Sequence, residues 1–196
     1  MKTLYLMRHG QTLFNQLHKI QGWCDAPLTP LGIEQARVAS SYFKEHQITL
    51  KSAYASTSER ASDTLELVTD LPYKRLKGLK EWNFGRFEGE PEFLNPKLPY
   101  GDFFAAFDGE KENDFKKRIN NTLLKIMTED PNDSILVVSH GAACAQFMRN
   151  WQHLSQIETP KGIKNCCIMK FEYVDEQFKL FEVINHDFSQ LENTHI

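Results

Sequence analysis

Leu4-Tyr5-Leu6-Met7-Arg8-His9-Gly10 opens the chain with an apolar run that stops at a basic pair and a glycine. A run of this length ended by glycine reads as a buried strand finishing in a tight turn. Open α/β sheets bind ligands outside the carboxyl ends of their strands, so this strand delivers His9 to the rim of a site. There an imidazole can attack an electrophile, and the arginine beside it can neutralise an anion. A second junction of the same kind follows much later, in Ile135-Leu136-Val137-Val138-Ser139-His140-Gly141. Two strand-to-His-Gly junctions in one chain make a plain surface role for these histidines the weaker reading.

Strand and helix signals alternate between and around the junctions. This order predicts an α/β fold of three layers, a mainly parallel sheet covered by helices on both faces. Thr29-Pro30 predicts a helix start, with the Thr side chain as N-cap and Pro at the first helical position. Ala36, Ala39 and Phe43 give that helix its core face. Ala53-Tyr54-Ala55 reads as a brief strand ending at Ser56-Thr57-Ser58, and the helix after it carries Arg60 in its first turn and runs to about Thr69. Phe115, Ile119, Leu123 and Ile126 stripe another helix, which stops near Asp130-Pro131. Residues 142 to about 151 form the helix after the second junction. Residues 166–174 and 178–184 read as a hairpin turning at Asp175-Glu176, adding antiparallel strands at one edge.

Two stretches fit no simple period. Residues 11–28 read as irregular, and residues 78–114 are rich in Phe, Pro and Gly. Trp82, Phe84, Phe87, Phe93, Phe103, Phe104 and Phe107 are too many aromatics to leave exposed, which predicts an insertion packed over the sheet edge. With no linker or repeat visible, residues 1–196 are expected to form a single domain, with the insertion at about 78–114 covering the active site.

A chain of 196 residues is long enough to bury a real core. Its net charge of −3 argues against a nucleic-acid partner. No stretch approaches the length of a membrane span, and Met1-Lys2-Thr3 leads straight into a strand, so no membrane partner and a cytoplasmic location are expected. Cys24, Cys144 and the pair Cys166-Cys167 lack C-x-x-C spacing. Neighbours on a strand point to opposite faces, so buried free thiols are expected rather than a disulfide framework or a zinc site.

Further motifs run in order along the chain: Arg8-His9-Gly10-Gln11-Thr12 with Asn15, then Pro27-Leu28-Thr29-Pro30-Leu31-Gly32 with Gln35-Ala36. Ser56, Ser58, Arg60-Ala61 and Thr64 follow, then Glu81 with Gly85 and Glu88-Gly89, and Ser139-His140-Gly141. On these residues the chain resembles the histidine phosphatase superfamily, also called phosphoglycerate mutase-like, over almost its whole length. The departures are Gln11, where the family more often has Glu, and Phe87, where it more often has Trp.

The resemblance implies a role for each motif. His9 is the expected nucleophile, forming a phosphohistidine that splits one displacement into two. Attack needs a neutral ring, so its other nitrogen is expected to donate to a backbone carbonyl. Arg8 and Arg60 are the expected clamps on the phosphoryl oxygens, because a guanidinium fork matches phosphate better than a point charge does. His140 and Gly141 are implied as further phosphate contacts and Asn15 as an amide donor. The turn at Gly10 is expected to let backbone N–H groups approach the phosphate. Thr12 and Gln21 are expected at the mouth. Glu81, set between Leu79 and Trp82, is the expected general acid and then base, its carboxyl raised by partial desolvation.

The expected activity is that of a phosphomonoesterase on a small phosphorylated metabolite. A cofactor-dependent phosphoglycerate mutase-type phosphomutase is the alternative, and a non-catalytic phospholigand-binding relative the third reading. Mutases of the family carry basic residues in a longer insertion, whereas residues 88–114 hold only Lys97 and Lys111. They also tend to have Asn after the second His-Gly, where this chain has Ala142-Ala143. Neither a metal nor another cofactor is expected, because no Asp/His cluster accompanies the motifs. The sequence leaves the oligomeric state open.

Overall fold

A computed structural model describes residues 1–155 and 157–192. Its elements are β1 (Lys2–Arg8), α1 (Leu13–Gln16), α2 (Pro30–Glu45), β2 (Ser52–Ser56), α3 (Glu59–Val68), β3 (Tyr73–Leu76), α4 (Glu112–Glu129), β4 (Ser134–Ser139), α5 (Gly141–Trp151), β5 (Ile168–Val174), β6 (Gln177–Ile184) and α6 (Ser189–Glu192). The strands form one sheet in the order β3-β2-β4-β1-β5-β6. The first four in that order run parallel, while β5 lies antiparallel to both β1 and β6. This is the three-layer α/β fold with its antiparallel hairpin at one edge.

Both faces of the central strands are buried, which is why β1 and β4 read as unbroken apolar runs rather than alternating ones. Tyr5, Met7, Leu136 and Val138 face α2 and α3, meeting Ala36, Ala39, Phe43, Ala61 and Leu65. Leu4, Leu6, Ile135 and Val137 face the other way, toward α4 and α5, where Phe115, Ile119, Leu123 and Phe147 cover them. The small residues of α2 let it lie close to the sheet. Its start is fixed by Thr29, whose Oγ1 accepts the Gly32 N–H at 3.0 Å. Gly32 also crosses the turn after β1 at very short range. A Cβ on Gly10 would stand 2.4 Å from the Gly32 carbonyl oxygen, and one on Gly32 would stand 2.0 Å from that of Gln11.

Several local expectations need correction. Residues 13–16 of the stretch read as irregular form α1, capped by Thr12. Tyr73–Leu76 adds an edge strand that its polar, half-exposed sequence does not announce. Cys166 and Cys167 precede β5 instead of lying on it, so the opposite-faces argument does not apply to them. Cys166 sits at φ 54°, and its N–H donates to the Arg8 carbonyl at 3.1 Å. Both thiols are nonetheless buried and free, as is Cys144, and Cys24 is free and half-buried.

The aromatic segment also behaves differently from expectation. Trp82, Phe84 and Phe104 are buried, and Trp82 stacks on Phe115 of α4 with ring centroids 4.8 Å apart. These rings join the core on the α4 side of the sheet rather than lining an edge strand. Phe93, by contrast, is 83% exposed, and Phe103 is exposed at the segment's surface. Among the described residues no helix is long and apolar enough to cross a membrane.

Phe115 ties the two parts together, since it has no exposed surface and contacts both α4's core and Trp82. Phe115→Ala is expected to cost about 3–5 kcal/mol. Chemical denaturation should show this as a lowered midpoint with an unchanged slope.

Candidate active site

Arg8 pairs with Ser139 on the last rung between β1 and β4, so the two chains leave the sheet side by side. The next residues are His9 and His140, whose rings meet edge-on with centroids 5.3 Å apart. His9 donates Nδ1–H to the Gly10 carbonyl at 2.7 Å, and Arg60 Nε–H donates to His9 Nε2 at 3.3 Å. One contact demands a proton and the other a lone pair, so the tautomer follows from the two partners. Burial, then Arg60 and Arg8, hold this imidazole well below its usual range. The result is a neutral ring with an in-plane lone pair on Nε2. The Gly10 N–H does not face the cavity as expected; it donates to Thr64 Oγ1 at 3.0 Å. Gly10 is there for its close crossing with Gly32.

Arg60, in the first turn of α3, has no exposed surface at all. Its Nη1 donates to the Cys24 carbonyl at 3.0 Å and to Asp25 Oδ1 at 2.8 Å, and its Nη2 donates to the Gly22 carbonyl at 2.8 Å. Asp25 is a site residue that sequence reasoning missed. Arg8 donates Nη1–H to the Ile163 carbonyl at 2.6 Å, while its buried Nε has no partner. His140 is likewise fully buried with neither ring nitrogen partnered, and burial followed by Arg60 keeps it neutral. Buried polar groups without partners are rare and costly, and these two lie side by side at the ends of β1 and β4.

Glu81 lies at the N-terminus of α5. Its Oε2 accepts the Ala142 N–H at 2.8 Å, and its Oε1 accepts those of Ala143 and Trp82, both at 2.9 Å. Burial raises the carboxyl above its usual range, and the three N–H groups and Arg60 offset part of that rise. The backbone behind it is pinned from outside the segment. Arg118 of α4 donates to the carbonyls of Gly78, Lys80 and Glu81, Trp23 Nε1 donates to that of Glu81, and Ser139 Oγ donates to that of Leu79. Nothing in the sequence around Arg118 signals this role.

Arg8, His9, Asn15, Gln21, Glu81 and Gly141 line a single cavity of about 770 Å³. Arg60 and His140 do not line it; both are fully buried and reach it only through His9, Arg60 by its hydrogen bond to Nε2 and His140 by its ring contact. The oxygen of Asn15 accepts from Thr12 N–H and from Asn165 Nδ2, each at 3.2 Å, which leaves the NH2 end for a ligand. Asn165 also donates to the His9 carbonyl at 3.1 Å and was not anticipated. Gln21 faces the cavity with its Nε2 buried and unpartnered. Thr12 does not line the mouth. It is fully buried, caps α1 and donates its hydroxyl to Gln21 Oε1 at 2.7 Å. An added Cβ at Gly141 would lie 3.4 Å from Arg8 Nε, so the glycine leaves the guanidinium uncovered. Farther out the cavity is walled by Trp82, Phe84 and Tyr100 and rimmed by Lys19, Lys116 and Arg149. These cations come from outside the insertion.

The model of the histidine phosphatase superfamily, branch 1, matches residues 4–186. The chain belongs to this family. It is 27% identical to the uncharacterized phosphatase PhoE of Bacillus subtilis over 92% of this chain and 93% of that one. Among solved structures, phosphoglycerate mutase from Bacillus anthracis superposes with a TM-score of 0.82 at 29% identity, covering 92% of each chain. A phosphoserine phosphatase from Entamoeba histolytica, solved with 3-phosphoglyceric acid, gives 0.73 at 28% identity over 95% of this chain and 98% of that one. The family's members thus include both phosphatases and phosphoglycerate mutase-like proteins.

The two histidines make the ligand-free site sensitive to acid. Unfolded, each would take up a proton near pH ~6.5, while the folded protein keeps both neutral below that point. The unfolded chain therefore binds more protons there, and stability is lost as pH falls below ~6.5. Glu81, with its raised carboxyl, works in the opposite direction, so the histidine part is read from wild type against His140→Gln. Ring resonances of His9 and His140 should stay those of neutral imidazole at pH 6, and the variant should lose less stability between pH 7 and 5 than wild type. A His140 ring that titrates in the ordinary range without ligand contradicts this account.

Proposed function

We propose that the protein is a phosphomonoesterase that hydrolyses a small phosphate ester through a phosphohistidine on His9. The observation that carries this reading is the neutral His9 ring, whose Nδ1–H is tied to the Gly10 carbonyl and whose Nε2 lone pair, accepting one long bond of 3.3 Å from Arg60 Nε–H, adjoins a cavity that also holds the Glu81 carboxyl. Nε2 attacks phosphorus, the bond to the ester oxygen breaks, and that oxygen takes the proton of Glu81. The Nδ1–H stays on the ring throughout, with the Gly10 carbonyl accepting it as positive charge builds. Arg8, Arg60, His140 and the Asn15 amide supply donors to the spread charge of the transferring group, where such preorganised donors act most strongly. In the second half water attacks phosphorus, Glu81 takes its proton, and the N–P bond breaks to restore neutral His9.

A phosphomutase would use the same first half and return the phosphoryl group to its own product. Lys19, Lys116 and Arg149 at the cavity rim favour this second reading, because they bring cations to a cavity that Lys97 and Lys111 of the insertion do not line. Lys116 is already paired with Glu112 at 2.5 Å, which reduces what it offers a second anion. Ala142 and Ala143 likewise place no polar side chain beside the phosphoryl site. Phosphate release from a panel of phosphorylated metabolites, run alongside 3-phosphoglycerate isomerisation, separates the two activities. Isomerisation faster than phosphate release would make the mutase reading the right one.

Quenching during turnover of labelled substrate should trap acid-labile, alkali-stable label on His9. That label should vanish in His9→Ala; its persistence, or its appearance on His140, would remove His9 from the nucleophile role.

Glu81→Gln should discriminate between leaving groups. An alkyl phosphate departs as a poor alkoxide and should lose on the order of 100-fold or more in its first step, toward the upper part of what general acid catalysis contributes. A nitrophenyl phosphate departs as a stabilised phenolate and should phosphorylate the enzyme nearly as fast as before. Without its base the second step should stall, giving a burst. Equal losses for both substrates in single-turnover experiments would exclude Glu81 as the acid.

A further inference from the structure

Glu88 stands seven residues after the proposed acid and is saturated in a way Glu81 is not. Its Oε1 accepts the N–H groups of Trp23 at 2.7 Å and Phe84 at 3.0 Å, and its Oε2 accepts those of Gly22 at 2.9 Å and Cys24 at 3.0 Å. The four lone-pair positions of a carboxylate are thereby filled. The Cys24 thiol lies against it too and is pushed up to about 12, burial being the larger cause. Glu88 does not line the cavity. No lone pair or proton of this side chain is left over for a substrate.

The same residues that donate to Glu88 accept from Arg60. Gly22 and Cys24 give their N–H groups to the carboxylate and their carbonyls to Nη2 and Nη1 of the guanidinium. The segment between anion and cation is thus held at both ends by charge-assisted bonds. Its geometry admits only glycine at position 22, where a Cβ would stand 2.2 Å from the Trp82 carbonyl and 2.4 Å from Glu88 Oε1. Glu88 itself is aimed by a tight turn. Its N–H bonds the Gly85 carbonyl at 3.1 Å, and Gly85 and Gly89 on either side take φ of 58° and 81°.

We propose that Glu88 is a positioning residue for Arg60: it fixes residues 22–24 so that their carbonyls set the plane and direction of the guanidinium. This rests on the reading of Arg60 as a phosphoryl clamp. Gln at position 88 would keep one carbonyl oxygen and turn an NH2 group toward two of the four N–H donors, so the segment should shift and carry Arg60 with it. Misplacement of about 1 Å is enough to cost on the order of 100-fold.

A double-mutant cycle between Glu88→Gln and Arg60→Ala tests this, read as kcat/KM for nitrophenyl phosphate and as affinity for inorganic phosphate. Glu88→Gln alone should lower both by about 10- to 100-fold. In the Arg60→Ala background the further loss should be less than about 2-fold, since additive effects are expected only of independent sites. Glu88→Gln should also leave the ratio of alkyl to nitrophenyl first-step rates unchanged, unlike Glu81→Gln. If Glu88→Gln fails to fold, Glu88→Asp, which keeps the charge but withdraws it by one methylene, takes its place in the same cycle. Equal fold-losses in both backgrounds, or an altered leaving-group ratio, overturn the proposal. Near wild-type turnover in Arg60→Ala would instead overturn the clamp reading on which it rests.

Discussion

Because Arg8 and Ser139 share the last parallel rung of β1 and β4, both chains leave the sheet at one height, and each next places a histidine. Slipping that register by one residue would reverse the faces of every side chain on one strand. Leu136 and Val138 would then meet the α4 side, and His140 would no longer lie beside His9. The two apolar layers therefore do more than stabilise the fold. Each independently forbids the slip, since Tyr5 and Met7 are locked against α2 and α3 while Leu4 and Leu6 are locked against α4 and α5. The site inherits its precision from a core that has only one low-energy register.

What the register assembles is electrically incomplete. A fully buried guanidinium, a half-buried one and two buried imidazoles converge, and Asp25 is a carboxylate bonded directly to Arg60. The scaffold limits the repulsion by keeping both rings neutral. It leaves Arg8 Nε, Gln21 Nε2 and both His140 nitrogens without partners. Orphaned polar atoms of this kind, one of the two on the neutral His140 ring being an acceptor, cost about 1–3 kcal/mol each, so the arrangement lowers stability in the ligand-free protein. An anion accepting from several of the donors among them at once would recover much of that cost, which fits the proposal of a phosphate-binding site.

The layers, the helix starting at Thr29-Pro30 and the C-terminal hairpin were legible because local signals and tertiary packing agree there. At Asp175-Glu176 even the turn was readable, although both residues occupy φ near 50–59° without a glycine. The strand Tyr73–Leu76 was not legible, since an edge strand packs on one side and its sequence reads YKRL. Phe93 escaped for a related reason: hydrophobicity alone cannot say which rings of a Phe-rich loop find space in the core. Residues that act through backbone groups were the least visible. Asp25, Arg118 and Asn165, and the partners of the motif residue Glu88, lie across distant turns, and no spacing in the chain records which carbonyl or N–H a side chain will reach.

The contrast between the buried carboxyl of Glu81 and the half-buried one of Glu88 bears on the proposed proton chemistry. Glu88 meets four N–H donors, and protonating it would set an O–H against one of them. Glu81 meets three, leaving one lone-pair position unfilled on a residue that lines the cavity. A proton can reside there without displacing a bond. Glu81 also shares the α5 terminus with His140 and Gly141, the residues read as phosphate contacts. If His9 takes the phosphoryl group, the substrate's dianion must sit near this carboxyl, and like charge at short range raises a carboxyl's proton affinity. The substrate would then help produce the protonated acid that its own leaving group needs. On the proposed mechanism, once the ester oxygen had departed, the N–H groups of Ala142, Ala143 and Trp82 would stabilise the carboxylate left behind, in the ionised form that the attack of water requires.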